Sequence, residues 1–343
     1  MLKTSNFRDN VVLIIGRSAK NSLEAMLSRG FRFLGLRAII FGYEDFCSNT
    51  SPWLASIARR RLLVSRARSL ILNSVPCISA FNRHLLRIAR MIRPTIALVV
   101  KGEALDYPVA YELREHSVCA AYMNPDDPRF TRLTISYADL GYRVFTPCRG
   151  CMAWFRERGI EPIFLPFAAD IPPWAKWHGC SSSRLGIFVF IGSMYPRRFR
   201  VIRELLRRGL PVIVAGPGWD KVLPGRVSGG VYGTRYIALN RLALASLNIH
   251  IGSDIGYKAN MRVFEIPGSG GIEISDNPEE VRVFYSANEV YTYNNIDELV
   301  ELAKELIDTP RELLCDRAYK AFKKTVANHT YMHRAKKIIR ACT

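Results

Sequence analysis

The sequence predicts an α/β protein built from two doubly wound domains. Buried-strand runs alternate with helical segments twice along the chain, and the aperiodic stretch "AADIPPWAKWHGCSSSR" separates the two series. The length of 343 residues also exceeds what one ordinary core accommodates. We therefore expect a first domain over 1–170, a linker over 171–184 and a second domain over 185–328. We also predict a last helix over 329–343, for which packing back on the first domain is left open.

The first series begins with "VVLIIG", an apolar run that ends in glycine, as is typical of a buried parallel strand. The other strands that we predict in this half are 36–41, 95–102, 118–122, 142–146 and 162–165. The predicted helices are 22–28, 53–73, 78–91, 107–115 and 152–158, and "MNPDDPRF" is expected to form a proline-rich loop.

The second series repeats this alternation. Its predicted strands are 185–191, 211–215, 247–251, 271–275 and 290–293. Its predicted helices are 199–208, 235–246, 262–267, 296–307, 311–326 and 330–340. In open α/β sheets ligands bind outside the carboxyl ends of the strands, so functional residues are expected there.

The net charge of +19 indicates an anionic partner. The charge is concentrated, because the segment from Phe46 to Gly102 contains ten Lys or Arg residues and no Asp or Glu. No apolar run approaches the 18 residues of a membrane-spanning helix. The N-terminal apolar stretch resembles a first strand more than a signal peptide, so we expect a cytoplasmic protein, with peripheral contact at the inner membrane face left open.

The basic segment 46–102 alternates arginines with apolar residues at helical spacing. Its arginines are Arg59, Arg60, Arg61, Arg66, Arg68, Arg83, Arg87, Arg90 and Arg93. A peripheral membrane face, a groove for an anionic acceptor and a solvated surface all remain open. Nucleic acid ranks last, because the segment lacks a recognisable nucleic-acid module.

The stretch "NMRVFEIPGSGG" carries the strongest candidate binding site. Arg262 and Glu265 are three residues apart on a predicted helix and so share a face. Arginine pairs with phosphate, and a carboxylate can accept hydrogen bonds from ribose hydroxyls. Free amides of Ser269, Gly270 and Gly271 would cradle an anion. A surface Arg–Glu pair beside a tight turn remains the alternative.

The stretch "FVFIGSMYPRR" is a second candidate for anion binding. A buried strand ends in Gly192 and Ser193, and Arg197 and Arg198 begin a helix. Two arginines at a helix N-terminus oppose the helix dipole, which indicates that they face something negative. A solvated arginine pair is the alternative.

Two further pairs are candidates for chemistry. Asp126 and Asp127 are adjacent and could include the general base for an acceptor hydroxyl, although an Asp-Pro turn needs no chemistry. Cys148 and Cys151 form a Cys-x-x-Cys pair without a thioredoxin-like context. We interpret them as a structural thiol pair or a stabilising disulfide rather than a redox centre.

Several motifs in the second half resemble those of the CgeB-type glycosyltransferase-like family, whose members are sugar-nucleotide transferases of GT-B architecture. The motifs that carry the resemblance occur in the family's order: "FIGSMYPRR", "AGPGW", "LNIHIGSD", "NMRVFEIPGSGG", "NEVYTYNNIDELVELAKEL" and "NHTYMHRAKKI". The resemblance implies a GT-B fold, in which two Rossmann-like domains face a central cleft.

The family resemblance also implies residue roles. Glu265 would hold the donor ribose, with Arg262, Ser269, Gly270 and Gly271 near the diphosphate. Gly192, Ser193 and Arg197 would lie opposite. Retaining relatives carry a second Glu eight positions earlier, where this sequence has Tyr257, so the sugar and the stereochemical course stay open.

The function predicted from these observations is sugar transfer from a nucleoside-diphosphate sugar, without a cofactor or a metal. The acceptor is open among a glycan, a lipid-linked group and a protein. A nucleotide-sugar epimerase on the same frame is one alternative. A non-catalytic basic protein that binds nucleic acid or membrane is the other.

Overall fold

The computed structural model of the chain describes residues 10–43, 75–179, 184–223, 227–228 and 230–343. The chain forms two compact units. The first comprises Met1–Leu165 with Tyr331–Thr343, and the second comprises Pro166–Thr330. Part of the predicted linker is packed in the second unit, where Trp177 contacts the rings of Tyr319 and Phe322.

The first unit is a parallel α/β sheet, which confirms the prediction of a doubly wound domain. Its strands are β1 (Val11–Gly16), β2 (Arg37–Gly42), β3 (Ile96–Val100), β4 (Cys119–Met123), β5 (Arg143–Thr146) and β6 (Ile163–Phe164). Their order is β2-β1-β3-β4-β5-β6. The described helices are α1 (Leu23–Arg32), α2 (Val75–Ile92), α3 (Tyr107–Glu115), α4 (Thr131–Asp139) and α5 (Met152–Arg156).

Local sequence explains most of these elements. Ser22 caps α1 by accepting a hydrogen bond from the Ala25 amide at 3.3 Å. Helix α4 was not predicted, because it follows a proline-rich loop and its N-cap residue, Phe130, makes no side-chain cap. Packing stabilises it instead, since the ring of Tyr137 stacks on that of Tyr122 at 4.0 Å. The predicted helix over 53–73 lies outside the described residues.

The second unit is also a parallel sheet. Its strands are β7 (Phe188–Ile191), β8 (Val212–Ala215), β9 (Val227–Ser228), β10 (Ala245–Asn248), β11 (Glu273–Ser275) and β12 (Tyr291–Thr292). Its described helices are α6 (Pro196–Arg207), α7 (Thr234–Leu242), α8 (Arg262–Gly268), α9 (Pro278–Arg282), α10 (Ile296–Asp308) and α11 (Arg311–Asn328). The predicted helix over 235–246 was too long, because the apolar sequence continues from the end of α7 into β10 without a break.

The two faces of the second sheet differ in polarity. One face presents Phe188, Phe190, Leu247 and Ile274 to the core formed with α6, α10 and α11. The opposite face is apolar on β7, where Val189 and Ile191 pack against α7. On the next two strands this second face becomes polar, with side chains that are buried nonetheless: Ser246, Asn248, Glu273 and Ser275.

The last helix, α12 (Tyr331–Cys342), belongs to the first unit. It packs closely on α1, since a β-carbon at Gly30 would come within 2.3 Å of the Tyr331 carbonyl oxygen. A disulfide joins Cys342 to Cys119 on β4, and a second disulfide joins Cys148 to Cys151. No helix among the described residues is long and apolar enough to cross a membrane.

Candidate functional site

The candidate site lies in the second unit, at the carboxyl ends of β7 and β10. The strand order β9-β8-β7-β10-β11-β12 is that of a dinucleotide-binding sheet. The chain passes from β7 outward to β8 and from β10 outward to β11, so the order reverses between β7 and β10. Ligands of such sheets bind at this reversal.

Gly192 follows β7 and allows a close approach of Arg262. A β-carbon at position 192 would lie 2.2 Å from Nη2 of Arg262. The backbone of Gly192 is fixed on both sides: its amide donates to the Ala215 carbonyl at 2.8 Å, and its carbonyl accepts from Nε1 of Trp219 at 2.8 Å. Only glycine fits this position without moving the guanidinium.

Arg262 is held at the end of β7, next to Gly192. The structure thus brings together two predicted site residues from distant sequence positions. Its Nε donates to the Ile191 carbonyl at 2.6 Å, and its guanidinium lies over the Phe190 ring at 5.5 Å. The Arg262 amide donates to Oδ1 of Asn260 at 2.8 Å. The charge of Arg262 is thus part of the carboxyl edge of the sheet.

Ser193 and the N-terminus of α6 lie in the same loop. Among the described residues, the amide and hydroxyl of Ser193 have no hydrogen-bond partner. Helix α6 begins at Pro196, and its N-cap residue Tyr195 makes no side-chain cap. The first amides of a helix carry positive partial charge, so this loop offers donors to an anion.

Arg197 and Arg198 find partners within the unit, which corrects the interpretation that both face an external anion. Arg198 is buried and donates to the carbonyls of Ile249 at 2.8 Å and Ser193 at 3.0 Å. Burial, with the nearby charge of Arg262, lowers the pKa of Arg198 to about 9. Arg197 pairs with Asp276 and donates to the His250 carbonyl at 3.1 Å, but 30% of its side chain stays exposed.

His250 and Asp276 form a buried pair that sequence reasoning missed. The Asn260 amide donates to Nε2 of His250 at 3.2 Å, so Nδ1 carries the hydrogen and donates to Oδ1 of Asp276 at 2.6 Å. Burial opposes ionisation of Asp276, but hydrogen bonds from His250 and the charge of Arg197 outweigh it and lower the pKa of Asp276. His250 follows β10 and Asp276 follows β11, and this position after a strand was the sequence signal for the pair.

Asn248 and Glu273 were also missed, because they lie inside the strands themselves. Nδ2 of Asn248 donates to Oε1 of Glu273 at 2.8 Å across the sheet. Oε2 of Glu273 has no hydrogen-bond partner among the described residues. Burial raises the pKa of Glu273 to about 8. The sequence signal for this pair was polar residues at alternate positions of two short strands, Ser246 and Asn248 on β10 and Glu273 and Ser275 on β11.

Glu265 lies on α8 and is half-buried. Burial raises the pKa of Glu265 to about 7. The charge of Arg262 lowers this pKa, and the charge of Asp170 raises it further. The carboxyl group of Glu265 is therefore poised between its neutral and ionised forms near neutral pH. Hydrogen bonds from ligand hydroxyls would favour the ionised form.

Ser269, Gly270 and Gly271 do not form the predicted anion cradle. Their amides donate to carbonyls of the preceding helix, with Ser269 bonded to Glu265 at 2.9 Å, Gly270 to Pro267 at 2.9 Å and Gly271 to Ile266 at 3.0 Å. These bonds close the C-terminus of α8, where the helix dipole is negative. Glycine is required for the turn, because Gly270 has a φ of 80°.

Asp126 and Asp127 lie in the first unit, after β4. Asp127 is buried, and its carboxylate accepts from Asn124 at 2.8 Å, Thr134 at 3.1 Å and Thr146 at 2.8 Å. These bonds give Asp127 a structural role that argues against a general base. Asp126 is more exposed and pairs with Lys101 at 3.0 Å, at the carboxyl end of β3.

A family model described as "Glycosyl transferase-like" matches residues 197–340, somewhat less than half of the chain. A search of curated protein sequences gave no match.

Solved structures resemble the whole chain at low sequence identity. T4 phage β-glucosyltransferase is 13% identical with a TM-score of 0.58, over 97% of this chain and 99% of that one. The α,α-trehalose 6-phosphate synthase of Burkholderia multivorans is 14% identical with a TM-score of 0.57, over 97% and 96%. AviGT4, a glycosyltransferase of avilamycin A biosynthesis, is 14% identical with a TM-score of 0.54, over 97% and 96%.

These likenesses confirm the predicted fold class, which is that of GT-B glycosyltransferases. The family match spans Arg197, Arg262 and Glu265 of the candidate site, whereas Gly192 and Ser193 precede it.

Proposed function

We propose that the protein is a glycosyltransferase that takes a sugar from a nucleoside-diphosphate sugar bound at the carboxyl edge of the second sheet. The observation that carries this proposal is the convergence of Gly192, the N-terminus of α6 and Arg262 at the reversal of strand order. The family match and the motifs that resemble the CgeB-type family support the same function.

The diphosphate of the donor would bind between the Ser193 loop and Arg262. Breaking the bond between sugar and phosphate leaves negative charge on the departing diphosphate. The guanidinium of Arg262, the free donors of Ser193 and the first amides of α6 are all positioned before the reaction. Fixed donors of this kind stabilise developing charge without reorganising.

Glu265 would hold the ribose of the donor. Its carboxylate can accept two hydroxyl hydrogen bonds, which is how acidic residues recognise ribose in related sheets. The half-buried position on α8, beside Arg262, supports this role. Binding of the hydroxyls would stabilise the ionised carboxylate and lower its raised pKa.

We propose that the charge of the arginines replaces a divalent metal. One solved neighbour is T4 phage β-glucosyltransferase with UDP and Mn²⁺, so the proposal needs a direct test. Transfer should continue in EDTA and should not increase with added Mn²⁺ or Mg²⁺. A strict requirement for either ion would overturn this part of the proposal.

The acceptor would be anionic or associated with an anionic surface. The net charge of +19 supports an anionic partner. The exposed Arg83 and Arg87 on α2, and Arg93 just after it, support the same proposal. Arg90 pairs with Glu112, and the arginines from Arg59 to Arg68 lie outside the described residues. One neighbour is described as a DNA-modifying enzyme, so duplex DNA belongs in an acceptor screen beside lipid-linked, glycan and protein acceptors.

Donor binding can be tested by calorimetry with UDP, GDP, ADP and TDP. We expect one of them to bind, and we expect Arg262→Ala to weaken that binding about tenfold or more. Arg207→Ala is the matched control, because Arg207 is an exposed arginine of the same unit that pairs with Glu204. Failure of all four nucleotides to bind, or equal binding by Arg262→Ala, would contradict the proposal.

A second measurement separates transfer from epimerisation. With the sugar form of the bound nucleotide, transfer releases free nucleoside diphosphate in an acceptor-dependent manner. Epimerisation changes the sugar without an acceptor, so acceptor-independent conversion would favour the epimerase alternative.

A further inference from the structure

Two asparagines, the buried Asn248 and the half-buried Asn260, connect the interior of the second sheet to the backbone of Arg262. The Arg262 amide donates to Oδ1 of Asn260 at 2.8 Å. Nδ2 of Asn260 donates to Oδ1 of Asn248 at 2.8 Å, and Nδ2 of Asn248 donates to Oε1 of Glu273 at 2.8 Å. Every bond has one definite direction, because each amide group uses its oxygen toward Arg262 and its nitrogen toward Glu273.

The same asparagine starts a second branch that reaches Arg197. The backbone N–H of Asn260 donates to Nε2 of His250 at 3.2 Å, and Nδ1 of His250 donates to Oδ1 of Asp276 at 2.6 Å. Asp276 in turn pairs with the guanidinium of Arg197. Asn260 therefore takes part in two chains of hydrogen bonds, with its side chain in the one that ends at the Arg262 amide and its backbone N–H in the one that ends at Arg197.

The burial of these groups makes the chains energetically important. Asn248, His250, Glu273 and Asp276 are all at least 95% buried. A buried polar group that loses its partner bears the full cost of desolvation, so the members hold one another in a single arrangement. Apolar side chains would fill the same sheet face without that constraint, as Val189 and Ile191 do on β7.

We propose that Glu273 is a positioning residue for donor binding, which acts through the side chains of Asn248 and Asn260 to fix Arg262 toward the diphosphate. The inference rests on the proposed function, because that function assigns Arg262 to the donor diphosphate. Glu273 itself does not touch the ligand. Its required property is an oxygen acceptor at Oε1, where Asn248 donates.

This requirement separates two substitutions of Glu273. Glu273→Gln keeps an oxygen acceptor for Asn248, and the opposite carboxyl oxygen has no partner to lose among the described residues. Glu273→Leu removes the acceptor and leaves the Asn248 amide unpaired. Asn260→Ala removes the side-chain amide that joins Asn248 to the Arg262 amide, and it keeps the backbone N–H that donates to His250.

The experiment is a calorimetric titration of these variants with the nucleoside diphosphate that the wild type binds, and with its monophosphate. We expect Glu273→Leu and Asn260→Ala to weaken diphosphate binding about fivefold or more, and Glu273→Gln to stay within about twofold of wild type. The advantage of the diphosphate over the monophosphate should shrink, because the chains orient the groups that bind phosphate. General loosening of the fold would weaken both ligands alike.

Asn240→Ala is the matched control, because Asn240 is a buried asparagine of the same unit whose Nδ2 donates to the Tyr236 carbonyl at 2.8 Å, outside both chains. It should bind both ligands like wild type. Urea unfolding identifies any variant that fails to fold, and Glu273→Leu and Asn260→Ala provide independent breaks. Wild-type binding by a folded Glu273→Leu or Asn260→Ala would overturn the positioning role, as would equal losses in Glu273→Gln and Glu273→Leu. A wild type that binds no nucleotide would instead overturn the proposed function.

Discussion

The guanidinium of Arg262 occupies the space that a side chain at Gly192 would need, with Nη2 only 2.2 Å from the position of a β-carbon. Two residues separated by 70 positions in the sequence are thus sterically coupled at the end of β7. Gly192→Ala should push the guanidinium away and weaken binding of a nucleoside diphosphate about tenfold, with a small loss of stability. The measurement is calorimetric titration alongside urea unfolding. Gly186→Ala is the control, because a β-carbon there meets no atom within 4 Å, and equal behaviour of the two variants would contradict the coupling.

Glu265→Gln should weaken donor binding about tenfold without lowering the free energy of unfolding by more than about 1 kcal/mol. The amide keeps the size of the side chain but offers one oxygen acceptor in place of two. The loss should appear with the nucleoside diphosphate and not with inorganic pyrophosphate, which has no ribose. Unchanged affinity for the nucleotide would remove Glu265 from the site.

The half-buried Glu265 and the buried Glu273 should make stability fall as the pH rises. Burial raises the pKa of Glu265 to about 7 and that of Glu273 to about 8, both from an ordinary value of 4.5. The folded protein therefore keeps protons that the unfolded chain releases, and this contribution is complete below pH 4.5 and is lost between pH 4.5 and 8. In Glu273→Gln, the loss of unfolding free energy between pH 4.5 and 8 should be smaller than in the wild type by an amount on the order of 1 to 3 kcal/mol. Identical pH profiles for variant and wild type, from urea unfolding, would contradict this assignment.

The Cys148–Cys151 and Cys119–Cys342 disulfides should differ in their contributions to stability. The Cys148–Cys151 bond closes a loop of a few residues, whereas the Cys119–Cys342 bond spans a sequence separation of 223. Loop entropy gives about 2 kcal/mol for the short loop and about 5 kcal/mol for the long one. Replacing both cysteines of each pair with serine should lower the melting temperature more for the long loop. The Cys148/Cys151 variant should keep full transfer activity, and a loss of activity in a folded protein would reopen a thiol function.

The exposed arginines of α2 should bind anionic surfaces independently of the donor site. Arg83 and Arg87 are solvent-exposed on one face of the helix, while Phe81 and Leu85 are buried. Arg83→Glu with Arg87→Glu should reduce co-sedimentation with anionic liposomes at low salt, and the difference should shrink as salt screens the charges. Nucleotide affinity should not change. Liposome binding that is the same in the variant and the wild type would assign these arginines to a solvated surface.

Much of the fold followed from hydrophobic patterning. Apolar runs such as "VVLIIG" and "IALVV" became β1 and β3, because both faces of a parallel strand are buried. Boundaries were less predictable where apolar sequence continued through a turn, as between α7 and β10. Helix α4 was missed because tertiary packing, rather than a capping signal, holds it in place.

The candidate site was predictable only in part. Gly192 and Arg262 follow motif-like patterns and meet in the structure as neighbours. Asn248 and Glu273 become partners only through the register of β10 and β11, which local sequence does not reveal. Ser269, Gly270 and Gly271 illustrate the opposite error, because a glycine-rich turn after a helix serves equally well to satisfy the carbonyls of that helix.

The bond between Cys119 and Cys342 turns most of the polypeptide into a covalent ring, since the whole of Pro166–Thr330 lies between the two cysteines. One backbone cleavage within that ring does not divide the molecule, because the fragments remain joined through sulfur. A protease that cuts there once therefore produces a nicked species of unchanged mass apart from one added water. Two pieces separate on a denaturing gel only after a reductant has opened the ring.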